Sequence, residues 1–163
     1  MATVRQIRSH EWELLRTVRP AALADAPYAF LGTVEQAGQT PDSKWEQRAQ
    51  VGAEGKETVS MLAFDNGNVI GMSVGLRDEV DSALSYLVGM WVIPAWRGTH
   101  IAAALADSVT SWARGIGAIS RFRGCLEKTK GRAKDSVAWM ISALNDGQYP
   151  RNDLWFSHWR GLL

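Results

Sequence analysis

Apolar and polar positions alternate over Thr3–Arg8, which predicts a short strand. The period then lengthens. Trp12, Leu15, Val18 and Ala22 recur at helical spacing over Glu11–Ala24, and Asp25-Ala26-Pro27 ends that helix because the residue before proline avoids the α region. Tyr28-Ala29-Phe30 through Glu35 has no strong period and reads as a turn into a second helix. Gln36–Pro41 is polar and Gly-containing and reads as a loop. Ser43–Val51 is helical, with Asp42 or Ser43 as its N-cap, and Ala53–Lys56 turns.

A run of strands follows. Thr58–Phe64 and Val69–Leu76 flank Asp65-Asn66-Gly67-Asn68, a strong hairpin turn. Ala83–Ile93 is a long apolar strand, reached through the polar loop Arg77–Asp81. Thr99–Gly115 carries Ile101, Leu105, Val109 and Trp112 on one stripe and ends at Gly115-Ile116-Gly117. Ile119–Leu126 reads as a strand, Lys128–Arg132 as a basic loop, Asp135–Leu144 as a helix capped by Asp135 or Ser136, and Leu154–Arg160 as a last strand. The order is β-αα-βββ-α-β-α-β with no repeat or linker. Periodicity alone supports one domain over residues 1–163, of α/β or α+β class.

The most informative stretch is Met90-Trp91-Val92-Ile93-Pro94-Ala95-Trp96-Arg97-Gly98-Thr99-His100-Ile101-Ala102-Ala103. A buried strand feeds a short turn that opens a helix. Unpaired backbone N–H groups and the helix dipole make such a junction an anion site, so a phosphate or pyrophosphate is expected on Arg97–Ala103. The same residues resemble the acyl-CoA motif of the GCN5-related N-acetyltransferase (GNAT) superfamily. That pattern is Arg or Gln, two residues, Gly, one residue, then Gly or Ala, after a strand ending Val-x-Pro. Arg97, Ile101, Ala102 and Met90-Trp91-Val92-x-Pro94 fit, and the departure is His100 in place of a glycine.

The resemblance implies a mixed, mostly antiparallel central sheet flanked by helices, with a splayed strand pair forming the acyl-CoA cleft. It implies that the pantetheine arm runs along Met90, Trp91 and Val92, as an edge pairing between ligand and sheet. The pyrophosphate then sits on Arg97, Gly98, Thr99, His100, Ile101, Ala102 and Ala103, and Ser136 joins these cofactor contacts. The implied donor is acetyl-CoA or another acyl-CoA, and the implied acceptor is the amine of a small molecule. The family's usual catalytic pair does not carry over. Leu84–Tyr86 holds no carboxylate, the nearest being Asp78, Glu79 and Asp81, and Met140–Leu144 holds no tyrosine. The remaining catalytic candidates are Glu35, Glu127 and Tyr86, each weighed against a bland role: a solvated helix face, a strand-end charge and sheet packing.

Composition narrows the classes. The chain has 163 residues, 46% of them apolar and 21% charged, which are values of a globular domain able to bury a core. A net charge of +1 argues against a nucleic-acid or membrane-surface protein. No apolar run approaches the roughly 20 residues of a membrane span. A single cysteine, Cys125, excludes an internal disulfide and suits a reducing, cytoplasmic setting. His10 and His158 lack ligand spacing, so no metal is expected. Three functions follow: an N-acyltransferase using acetyl-CoA; an acyltransferase drawing its acyl group from an acyl carrier protein, which His100 and the missing acid/base pair motivate; and a non-catalytic acyl-CoA-binding module. A homodimer is a common default for such domains.

Overall fold

A computed structural model describes residues 1–27, 30 and 32–120. The alternating N-terminal segment forms β1 (Thr3–Gln6). Helix α1 (Trp12–Asp25) buries Leu15, Val18, Ala22 and Leu23, the stripe its spacing predicts. Helix α2 (Val34–Gln39) occupies most of the segment expected to be a loop at 36–41. Its cause is local. The Thr33 hydroxyl accepts from the Gln36 N–H at 3.2 Å while the Gln36 side chain accepts from the Thr33 N–H at 2.9 Å, a reciprocal capping box.

Helix α3 (Asp42–Glu54) has Pro41 at its N-cap without a side-chain cap, so neither Asp42 nor Ser43 caps it. Asp42 instead lies in the first turn, where its negative charge suits the dipole and meets Arg16 at 2.9 Å. Strands β2 (Thr58–Asp65) and β3 (Asn68–Arg77) pair through the expected hairpin, with Asn66 and Gly67 at φ of 47° and 81°. Then come β4 (Leu84–Val92), a 3₁₀ turn (Pro94–Trp96), α4 (Ile101–Gly115) and the described start of a fifth strand, β5 (Ile119–Ser120).

The sheet order is β1-β2-β3-β4-β5. The first four strands are antiparallel and β5 runs parallel to β4, pairing Leu84 with Ile119 and Ser85 with Ser120. Helix α4 covers one face, its Ile101, Leu105, Ala106 and Val109 against Val59, Met61, Ile70, Met90 and Val92. Helices α1 and α3 cover the other, over Leu62, Met72 and Trp91. The strand to Leu126, the helix at 135–144, the last strand and the expected splay of β5 from β4 fall outside the described residues. Among the described residues no helix is long and apolar enough to cross a membrane.

Candidate active site

The junction from β4 to α4 is built for close approach. Gly98 has φ of 76°, which a residue with a Cβ adopts only with strain, and nothing lies within 4 Å of where its Cβ would be. The Thr99 hydroxyl donates to the Trp96 carbonyl at 2.7 Å and fixes the turn. Helical bonding starts with the Ala104 N–H on the His100 carbonyl at 2.9 Å. Among the described residues, the N–H groups of Gly98, Thr99, His100, Ala102 and Ala103 therefore have no intramolecular acceptor, and they cluster at the positive end of a 15-residue helix. His100, the residue that stands in place of a glycine, is exposed. These residues fit a pyrophosphate.

Strand β4 is interrupted where the ligand arm is expected. Gly89 has φ of 58°, and the register against β3 shifts between Met72 and Val74, so two residues, Gly89 and Met90, oppose Ser73. The extra residue changes the phase of the backbone. Before the bulge, Leu84 bonds toward β3 and Ala83 toward β5, at 2.9 and 2.7 Å. After it, the Ile93 N–H bonds the Ile70 carbonyl at 3.0 Å, so Trp91 and Ile93 face β3 while Met90 and Val92 turn their polar groups to the outer edge. The Val92 carbonyl accepts from Arg97 Nε at 3.0 Å. The backbone groups of Met90 and the Val92 N–H complete that edge.

Arg97 does not aim its side chain at the turn. Its guanidinium runs back to Asp25, the last residue of α1, whose Oδ2 also accepts from the Trp91 indole N–H at 2.7 Å. Arg97 thus ties the Gly98 turn, β4 and α1 together, and the groups that the turn leaves open are backbone amides.

Tyr86 both packs and bonds. It is buried, and its hydroxyl donates to Asp78 Oδ2 at 2.7 Å, while Asp78 Oδ1 accepts from the Val80 and Asp81 N–H groups at 2.9 and 2.7 Å. Leu87 packs with the α4 layer, so alternation turns Tyr86 to the α1 side. Glu35 lies exposed in the first turn of α2. Bonds from its own backbone N–H and from Thr33 hold its carboxyl below the usual range, opposite to the direction a general base near neutrality requires. Glu127, Ser136 and Cys125 lie outside the described residues. Among the described residues no three His, Cys, Asp or Glu side chains gather as metal ligands.

Three site residues escape sequence reasoning: Asp25, Gly89 and Arg19. Gly89 had a signal, since a glycine inside an apolar strand marks a bulge. Arg19 stands four residues after Leu15 on the buried side of α1, and its guanidinium stacks on Phe30 at 4.8 Å. Asp25 had none, because its partners are distant in sequence.

Comparison with known proteins agrees with this geometry. The model of the acetyltransferase (GNAT) family matches residues 12–131. No curated protein matches the chain. Among solved structures, the aminoglycoside acetyltransferase AAC(6')-Iy, held with a bisubstrate analogue of CoA and monomethyl-acetylneamine, aligns with a TM-score of 0.58 at 18% identity, over 88% of this chain and 89% of that one. An aminoglycoside acetyltransferase from an uncultured soil metagenomic sample gives 0.61 at 18%, over 86% and 88%. A GNAT acetyltransferase from Streptococcus pneumoniae gives 0.61 at 14%, over 73% and 70%. At these identities the likeness is one of fold.

Proposed function

We propose that this chain, which belongs to the acetyltransferase (GNAT) family, moves an acetyl group from free acetyl-CoA directly to the amine of a small molecule. The observation that carries the reading is the left-handed turn at Gly98, which leaves a cluster of unbonded amides at the start of α4 beside the bulged outer edge of β4. In this reading the amides of Gly98–Ala103 hold the pyrophosphate. The Met90 and Val92 backbone pairs with the pantetheine amides. Acetyl-CoA supplies the acyl group as a thioester.

Tyr86 and Asp78 are the acid/base unit. The Tyr86 oxygen accepts a proton from the acceptor ammonium as its own proton passes to the Asp78 carboxylate, 2.7 Å away. The amine nitrogen then bonds to the carbonyl carbon, the C–S bond breaks, and the thiolate leaves with the electron pair and takes the second proton that the nitrogen sheds as it becomes an amide. Positioning of amine and thioester supplies much of the rate.

The unbonded amides at the start of α4 support free CoA as the donor in this reading. The test is calorimetry with acetyl-CoA on the wild type and on Gly98→Val, which strains the turn without touching the core. Micromolar binding, weakened at least about tenfold by the substitution, is expected. Equal binding by both proteins rules the turn out as the pyrophosphate site, and no binding by the folded wild type rules out acetyl-CoA.

A further inference from the structure

We infer, on the strength of the acetyltransferase reading above, that the amine reaches the thioester from the α1 side of the β4 bulge, past the ring of Phe30, and that the acceptors this enzyme selects carry an apolar carbon chain beside the reacting nitrogen. The direction follows from the sheet. A ligand arm that pairs with an edge as an added strand keeps its carbonyl groups near the plane of the sheet. A nitrogen attacks a carbonyl carbon roughly perpendicular to the carbonyl plane, so it comes from one face of the sheet or the other. On the α4 face, Met90 is buried in one cluster with Ile101, Leu105 and Val109. On the α1 face, Phe30 and Val74 are only half-buried.

The bulge residue turns its bare α-carbon to that face. A Cβ on Gly89 would lie 3.5 Å from Phe30 Cε1 and 3.8 Å from Val74 Cγ2, both in the layer under α1 and α3. Arg19 stacks its guanidinium on the Phe30 ring at 4.8 Å from the centroid, which holds the ring in place. Tyr86 lies on the same side, with its hydroxyl on Asp78. An amine delivered over Gly89 therefore has the phenol for its nitrogen and hydrocarbon for the carbon next to it. Phe30 and Val74 offer no side-chain hydrogen-bond partner. A hydroxyl carried on that part of the acceptor gives up water for nothing, whereas a CH2 group there gains by burial. An acceptor dense in hydroxyl groups, as an aminoglycoside is, fits such a wall poorly.

The experiment measures kcat/KM for ethylamine, propylamine, butylamine and 2-phenylethylamine in wild type, Phe30→Leu and Phe30→Gln, with ethanolamine as the match of propylamine in size. Calorimetry gives the acetyl-CoA affinity of each protein. Ethanolamine is the weaker base and presents more free amine, which biases the comparison against the expected outcome. In the wild type kcat/KM should rise about three- to fivefold with each added CH2, and ethanolamine should fall about 10- to 100-fold below propylamine. Phe30→Gln should shrink both effects severalfold by raising KM for the alkylamines while ethanolamine holds. Phe30→Leu should keep most of both, and acetyl-CoA affinity should be the same in all three proteins. Ethanolamine used as well as propylamine by the wild type overturns the inference, as does a Phe30→Gln loss shared equally by all the amines. If acetyl-CoA binds but kcat/KM does not rise with chain length, or none of these amines is acetylated, the inference falls and the acetyl-CoA site stands. If acetyl-CoA does not bind, both fall.

Discussion

Asp25 sits where a carboxylate is normally unwelcome, at the negative end of α1. It is held there by two donors from residues far along the chain, the Trp91 indole and the Arg97 guanidinium. Asp25→Ala removes the one oxygen that accepts from both and, among the described residues, leaves Arg97 with the Val92 carbonyl alone. Its cost should be about 1–3 kcal/mol in urea unfolding, together with weaker acetyl-CoA binding as the turn loosens. A substitution that weakened neither would show the tie to be incidental. Glu11 makes the contrasting case. Its carboxylate takes both Arg5 nitrogens, at 2.6 and 2.8 Å, and the Arg8 N–H at 2.9 Å. The Arg5 bonds come first in holding it down to about 2. A lowered folded pKa gives stability that is full above the unfolded value of about 4.3 and is lost as pH falls through the folded value. Unfolding free energy should therefore drop between about pH 4.5 and 2, and Glu11→Gln should flatten that part of the profile. Arg97 was legible from its motif, but the direction of its side chain was not, since its partner stands 72 residues away in sequence.

Elements meet through small residues. Gly71, Ser73 and Gly75 present one face of β3 to α4: a Cβ on Gly71 would lie 3.2 Å from Leu105 Cδ1, and the Ser73 hydroxyl reaches the Leu105 carbonyl at 3.5 Å. A Cβ on Gly75 would lie 2.8 Å from Trp112, Val109 and Val59 together. Those atoms belong to packed side chains, so Gly75→Ala should cost about 1–3 kcal/mol in denaturant unfolding by prising α4 from the sheet. A neutral result would mean that the α4 interface is looser than its contacts. The same interface explains what was readable. The stripe Ile101, Leu105 and Val109 announced α4, and its end is a Schellman turn, with the Ala118 N–H on the Ala113 carbonyl at 2.8 Å and the Gly117 N–H on Arg114 at 3.1 Å. The β2–β3 hairpin was legible because Asn66-Gly67 specifies its turn. Helix α2 was not, because six residues carry no full stripe; only Thr33-x-x-Gln36 betrayed it. The bulge at Gly89 was masked by a long apolar run that reads as an unbroken strand.

At the scale of the molecule, the proposed ligand spans the layers. It would touch the outer edge of β4 and the start of α4, while Asp25 carries the connection to α1. A ligand that binds only the assembled junction must stabilise the fold by RT ln(1 + [L]/Kd), about 2.7 kcal/mol at a hundredfold excess over Kd. For a chain of 163 residues, each kcal/mol moves the melting midpoint by about 2–4 °C, so acetyl-CoA should raise it by about 5–11 °C. Gly98→Val should melt somewhat below the wild type without ligand, because a φ of 76° strains a β-branched residue even though its side chain enters open space, and should respond far less to acetyl-CoA. Asp25→Ala should melt lower without ligand and lose part of the shift as well. The pair separates the two contributions of the junction: Gly98 shapes the amides that receive the ligand, and Asp25 holds the layers that the ligand bridges. Equal shifts in all three proteins would place the binding site away from this junction, and with it the proposed route of the acyl donor along β4.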